Sequence, residues 1–163
     1  MKKHDPRCKG VSGSEEKLWD DVVKYGWHVT GVFDTEDAPA WAYSIGLFHS
    51  FEHPEILIFG EEVELMMSMI NIIGEQIRSG KRFEVDKKYA GFIEDYDCTF
   101  KVVRRVWYRE YPRFANSYYG GHAYPLLQCF WPDFDGRFPW EENFSEELVF
   151  AQPLLFKKGS GRR

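Results

Sequence analysis

The chain has no apolar run approaching the ~18–20 residues that a membrane-spanning helix needs, so a membrane segment is not expected. No apolar region follows Met1-Lys-Lys-His-Asp-Pro-Arg7, so a secretory leader is not expected. Cysteine is scarce: Cys8, Cys98 and Cys129 are odd in number and no pair has zinc-finger spacing, so neither a disulfide framework nor a structural zinc site is expected. A basic excess is also missing. The formal charge is −5 and the pI about 5.6, which argues against general nucleic-acid binding and favours a basic protein partner. The chain carries no Gly-rich phosphate loop, Gly-x-Ser-x-Gly elbow, Cys-x-x-Cys pair or His-Glu-x-x-His helix. Together these absences predict a soluble, cytoplasmic protein with none of the commonest catalytic signatures.

What the chain does have is aromatic residues. They make up 18% of its 163 residues, within an ordinary 44% hydrophobic content. A chain of this length buries about 68–70% of its unfolded surface in one core, and each aromatic ring adds about 150–250 Å². No composition break or internal repeat marks a second domain. We expect a flexible lead over 1–12, one domain over 13–156 and a solvated basic tail over 157–163.

Periodicity then assigns elements. Ser12 and Glu15 suggest a capping box, Leu18, Trp19, Val22, Val23 and Tyr25 form one helical face, and Gly26 sits where a cap belongs. Runs from Trp27 to Phe33 and Trp41 to Leu47 flank a polar turn and predict an antiparallel hairpin. Phe48 to His53 reads as a loop, because Pro54 disfavours helix before it. Glu55 to Gly60 reads as a buried strand and Glu61 to Arg78 as a helix, with acidic residues in its first turn and Met66, Met69, Ile70, Ile73 and Ile77 on one face. Asn71 and Gly74 are tolerable within it. Further strands are predicted over Arg82–Val85, Thr99–Trp107, Tyr124–Phe130 and Phe150–Phe156, with a short helix and loop between Tyr108 and Tyr119 and a helical turn within Glu141–Leu148. Strands without regular helix alternation predict an α+β fold: a single compact domain with a mostly antiparallel β-sheet packed by two main helices.

The richest stretch is Tyr124-Pro-Leu-Leu-Gln-Cys-Phe-Trp-Pro-Asp-Phe-Asp-Gly-Arg-Phe-Pro-Trp140, an apolar strand that enters a bend dense in Trp, Pro and Asp. Three motifs carry a resemblance: Trp41-Ala-Tyr-Ser-Ile-Gly-Leu47, His53-Pro-Glu-Ile-Leu-Ile-Phe-Gly60, and Leu127 through Trp140 followed by Ala151-Gln-Pro-Leu-Leu155. Together they resemble the uncharacterised bacterial family known as domain of unknown function 4262. Its pattern has a Tyr-Thr-(Ile/Val)-Gly-Leu strand, a His-Pro-Glu or Leu-Pro-Glu strand start, a Gln…Pro-Asp…Gly…Pro-Trp bend and a later Gln-Pro pair. The likeness spans roughly residues 25–156, with Ser44 where Thr is commoner. It implies a compact single-domain fold and supplies no reaction.

Four groups of residues are candidates for a site. His49, His53 and Glu55, with His122, carry imidazole and carboxylate groups that could hold a divalent ion. Yet i, i+4 histidines share a face only in a helix, so no metal is assigned. In the bend, Asp133 and Asp135 could divide acid and base roles, Arg137 could bind an anion through its planar fork, and Trp131 and Trp140 could sandwich a flat ligand. Alternatively, the bend is a structural corner of ordinary turn chemistry. Tyr43, Ser44, Gln128 and Gln152 are polar groups in apolar runs that need partners, from each other or from a ligand. Tyr43 and Ser44 point to opposite sheet faces. Lys101, Arg104, Arg105, Arg109 and Arg113, among Trp107, Tyr108 and Tyr111, form a basic and aromatic zone, balanced by Asp95, Asp97 and Glu110.

The function expected from these features is that of a small acidic binding module that engages a protein partner. A toxin-neutralising role is one concrete form, with the aromatics of the bend as surface contacts. The alternative is a small-ligand or metal-dependent enzyme of hydrolase type, which requires the histidines and aspartates to converge on one pocket. A flavin or nucleotide stacked between the two Trp is a third. The sequence assigns no cofactor.

Overall fold

The computed structural model describes residues 13–158, with side chains from Glu16 onward. The expected lead over 1–12 and the last five residues of the tail lie outside the described residues.

Helix α1 (Gly13–Tyr25) ends where Gly26 takes a positive φ of 103° and returns its N–H to Val22 O. Strands β1 (His28–Val32) and β2 (Trp41–Ile45) form the expected hairpin, and β2 pairs antiparallel with β3 (Glu55–Phe59). Between β2 and β3 lies α2 (Leu47–Phe51), where the sequence predicts a loop. The long helix α3 (Val63–Arg78) is the one its periodicity predicts, and Glu64 stands in its first turn. Strands β4 (Lys88–Ile93) and β5 (Tyr96–Val102) form a second hairpin. A 3-10 turn at Arg105–Trp107, helix α4 (Arg113–Tyr119) and strand β6 (Leu126–Phe130) complete the framework.

The six strands make one sheet in the order β1-β2-β3-β6-β5-β4. Every neighbouring pair is antiparallel except β3 and β6, which run parallel with Glu55 opposite Leu126 and Ile58 opposite Cys129. The fold is α+β, a single compact domain with a mostly antiparallel sheet. Side-chain alternation builds two cores. Ile56, Ile58, Leu127 and Cys129 point to the face that α3 covers with Met66, Met69, Ile70, Ile73 and Ile77. Tyr43, Ile45, Leu57, Phe59 and Leu126 point to the opposite face, covered by Leu18, Trp19 and Val22 of α1 and by Ala115 and Tyr118 of α4. Among the described residues no helix is long and apolar enough to cross a membrane.

Four expectations are corrected. The strand foreseen over Arg82–Val85 is absent, and the outer strand instead follows at Lys88–Ile93. That strand is largely exposed and interrupted by an irregular register between Tyr89 and Ile93, so it lacks an apolar alternation to read. Strand β5 begins at Tyr96, earlier than expected, and gives way to the 3-10 turn before Trp107. Phe150–Phe156 forms no strand. β6 already has a strand on each side, and this segment is tied to it by two side-chain amides. Gln152 donates to Trp131 O and accepts from Trp131 N–H at 2.9 and 3.0 Å, while Gln128 donates to Pro153 O at 2.7 Å and accepts from Leu155 N–H at 3.3 Å. The fourth correction, α2, belongs with the residue that caps it.

Candidate functional site

Glu55 opens β3 and is fully buried. Its carboxylate accepts from Ser44 Oγ at 2.7 Å, from the backbone N–H groups of Gly46, Leu47 and Phe48 at 2.9, 3.2 and 3.1 Å, and from the Tyr119 hydroxyl. Ser44 Oγ accepts in turn from Ile56 N–H at 2.9 Å, which turns its own proton toward Glu55. The three backbone donors open α2, and free N–H groups at a helix start need acceptors. A side chain eight residues beyond Leu47 supplies them, and no local cap is present. This is why the sequence reads as a loop there. Burial raises the Glu55 pKa, and the bonds from Tyr119, Ser44, Gly46 and Phe48 act against that rise. All five contacts are donors, the pattern that suits an ionised carboxylate.

His53 does not share a face with His49. After α2 the chain turns through Glu52 at a φ of 56°, and His53 is buried with both ring nitrogens occupied. Nδ1 donates to Pro54 O at 2.9 Å and Nε2 accepts from Phe83 N–H at 3.0 Å. That arrangement is the neutral ring, and burial lowers its pKa accordingly. His49 lies on α2, with Nδ1 2.9 Å from the Tyr118 hydroxyl and its backbone N–H on the Tyr119 hydroxyl at 3.2 Å. His122 is exposed beside the Tyr108 ring. Among the described residues no three His, Cys, Asp or Glu groups gather as they would around a metal ion.

The bend is packed from within. Trp131 is buried, not on the surface as its proposed contact role requires, and its indole donates to Phe59 O at 2.7 Å. Asp133 accepts from the N–H groups of Asp135, Arg137 and Ser145 at 3.0, 2.9 and 3.0 Å. Burial works against its charge, but the bonds from Arg137, Ser145 and Asp135 hold its pKa below the usual carboxylate range. Arg137 pairs with Asp135 at 3.2 Å. Trp140 is half-buried and stacks on Phe138, and Lys101 Nζ lies over its ring at 4.7 Å. The two Trp rings therefore serve different contacts, and the aromatic left in solvent is Phe134, 85% exposed. Tyr43 accepts from Phe114 N–H at 3.0 Å, and burial pushes its pKa up to about 12.

Topology separates the proposed partners. β3 and β6 run parallel, His53 and Glu55 stand at their starts, and Asp133 and Asp135 follow the end of β6. A five-residue strand spans roughly 16 Å, so the histidines and aspartates occupy opposite ends of the sheet. Two members of the basic zone are engaged: Lys101 pairs with Asp86 at 2.7 Å and Arg105 donates to Tyr124 O at 3.1 Å.

One open groove lies at the outer edge of β1. With a volume of about 410 Å³, it runs between Lys17, Asp21 and Tyr25 of α1 and Met67, Asn71 and Glu75 of α3, past Trp27, His28 and Val29. Its walls are tied together by His28 to Asp21 at 2.6 Å and Trp27 to Asn71 at 3.0 Å. Several of these residues fall within the elements expected from the sequence, but none was expected at a site. A signal was present in the sequence: from Tyr25 to Ile77 there is no Lys or Arg, and nine Asp or Glu.

A family model described as "Domain of unknown function (DUF4262)" matches residues 21–145. No curated protein and no solved structure matches the chain.

Proposed function

The chain belongs to the family of domain of unknown function 4262, and we propose that it acts in the cytoplasm as a binding module that engages a basic protein partner. The observation that carries this reading is the uneven distribution of charge. The stretch from Tyr25 to Ile77 contributes nine carboxylates and no Lys or Arg, while the formal charge of the whole chain is only −5. Among the described residues Asp34, Glu36, Asp37, Glu61, Glu62 and Glu64 have no ion-pair partner. Burial raises the pKa of Glu61, and so does the repulsion of neighbouring Glu62. A surface of this kind attracts cationic proteins and speeds their encounter. Meanwhile Glu55, His53, Asp133, Gln128 and Gln152 all have internal partners, so the groups best suited to chemistry are occupied in holding the fold. Neutralising a basic toxin-like enzyme is one concrete form of such a role.

Native mass spectrometry on the protein drawn gently from host lysate tests the proposal. At low ionic strength a stoichiometric protein of high pI is expected to accompany it and to dissociate as salt is raised. Recovery with a small molecule or metal ion instead of a protein would overturn the reading, as would a chain that remains bare.

A further inference from the structure

We infer that the free edge of β1 takes up an extended segment of the partner protein as a seventh strand, one with alternating apolar residues and with Lys or Arg at one end. This rests on the binding-module reading above and names its mode and the chemistry of what it binds.

The sheet has two edges, and they are built differently. β4, at one end, carries Lys88, Gly91 at a φ of 98° and a break in register between Tyr89 and Ile93. Lysine and local irregularity are the usual means by which an edge is kept from pairing with another chain. β1, at the other end, reads His28-Val-Thr-Gly-Val32 and keeps five consecutive pairs with β2 in unbroken register. It has no Lys, no Pro and no bulge, and among the described residues β2 is its sole strand neighbour. Its outward N–H and C=O groups form a template of the type that strand addition uses.

The surroundings fit an added strand. Lys17, Asp21 and Tyr25 are spaced four apart on α1, and Met67, Asn71 and Glu75 are spaced four apart on α3, so each set lines one helical face. α1 and α3 cover opposite faces of the sheet, so the groove between them runs along the edge itself, and a second hollow of about 220 Å³ lies between β1, Leu18 and Phe114 on the α1 side. Side chains of an added strand alternate in direction, so every second one turns toward that hollow.

Charge sets the partner's chemistry. Within the groove, Lys17 offsets Asp21, and Arg78 pairs with Glu75. The middle of the site is therefore balanced and suits apolar residues. At the far end of β1 the balance is lost. Asp34, Glu36 and Asp37 follow the strand directly, and Gly31 lies so close to Val63 that an added Cβ would meet its Cγ1 at 2.4 Å, which brings the start of α3 with Glu61, Glu62 and Glu64 to the same end. Phe33, which follows β1 directly, is exposed beside Asp34 in the chain. A strand whose cations fall at this end meets the charge it complements.

The probe is a synthetic acetyl-Lys-Lys-Val-Thr-Val-Thr-Val-amide peptide carrying a fluorophore. It is titrated by anisotropy alongside a version with N-methylated valines and a version with Glu in place of Lys. Each altered peptide is expected to bind at least about tenfold more weakly, the effect of one or two lost net hydrogen bonds or ion contacts. Amide exchange at His28–Val32 should slow when the parent peptide binds. The E62K/E64K double variant, its fold checked by circular dichroism, should lose the preference for Lys over Glu. Equal binding of the N-methylated peptide would overturn strand addition while leaving an acidic binding face. Protection of β1 in a concentration-dependent dimer would overturn it in favour of a second copy of the chain. If native mass spectrometry retains a basic partner while the parent peptide fails to bind, this inference falls alone; if neither is seen, the binding-module reading falls with it.

Discussion

Glu55 joins three parts of the molecule, the start of β3, the start of α2 and Tyr119 at the end of α4. Removing its carboxylate would leave Ser44, Tyr119 and three backbone N–H groups without their acceptor. Glu55→Ala is therefore expected to cost about 3–5 kcal/mol, read as a fall in the urea midpoint with an unchanged slope. His53 provides a pH-dependent counterpart. Burial lowers its folded-state pKa below 6.5, so the folded chain binds fewer protons there than the unfolded chain once the pH drops below that value. Its contribution is present above pH 6.5 and lost as the pH falls through the window beneath. Stability measured from pH 7.5 down to 5 should decline less steeply in His53→Gln than in the parent. An equal slope in the two proteins would show that His53 titrates alike in both states. Comparing the two proteins cancels the like-signed effect of His28, whose pKa burial also lowers. Sequence reading singled out both Glu55 and His53. It could not see that their bonding partners are backbone groups at Gly46, Phe48 and Phe83, because backbone groups carry no residue-specific signal.

At the level of elements, the pattern was readable wherever one face is apolar and one polar. α1, α3 and the β1–β2 hairpin follow from periodicity, because burial on one side imposes the repeat. The elements that were misread depend on distant groups. α2 relies on Glu55 for its cap, and the 150–156 segment is tied down by glutamine side chains in place of a strand ladder. β4 is exposed enough to lose its alternation. Gly74 shows how packing gives meaning to a residue that looked merely tolerable. An added Cβ would sit 2.5 Å from Trp27 Cε2, and Trp27 is itself held by Asn71 one turn earlier. Alanine normally favours a helix over glycine by about 1 kcal/mol. Here Gly74→Ala should instead destabilise by about 1–2 kcal/mol through overpacking, with a lower Tm and altered Trp27 fluorescence as the measurements.

Across the whole molecule, the candidate site was only half legible. Individual polar residues could be picked out, but their convergence depends on strand direction. The parallel pairing of β3 with β6 sends the histidines and aspartates to opposite ends, and no local pattern announces that pairing. Charge segregation, by contrast, could be counted directly from the sequence. It gains meaning only once β1 is known to be an edge and α3 is known to begin beside its far end.

The same β3–β6 seam governs the order in which the chain can be built. Among the described residues β6 is the last strand to be synthesised, yet it occupies the middle of the sheet between β3 and β5. Until residue 130 has left the ribosome, β3, apolar along Ile56-Leu-Ile-Phe59 and fully buried when folded, has one side open. The two hairpins can form as they emerge, since their contacts are local. The sheet itself closes only afterwards, so between the synthesis of β3 and that of β6 its centre is the segment most exposed to aggregation and to chaperones.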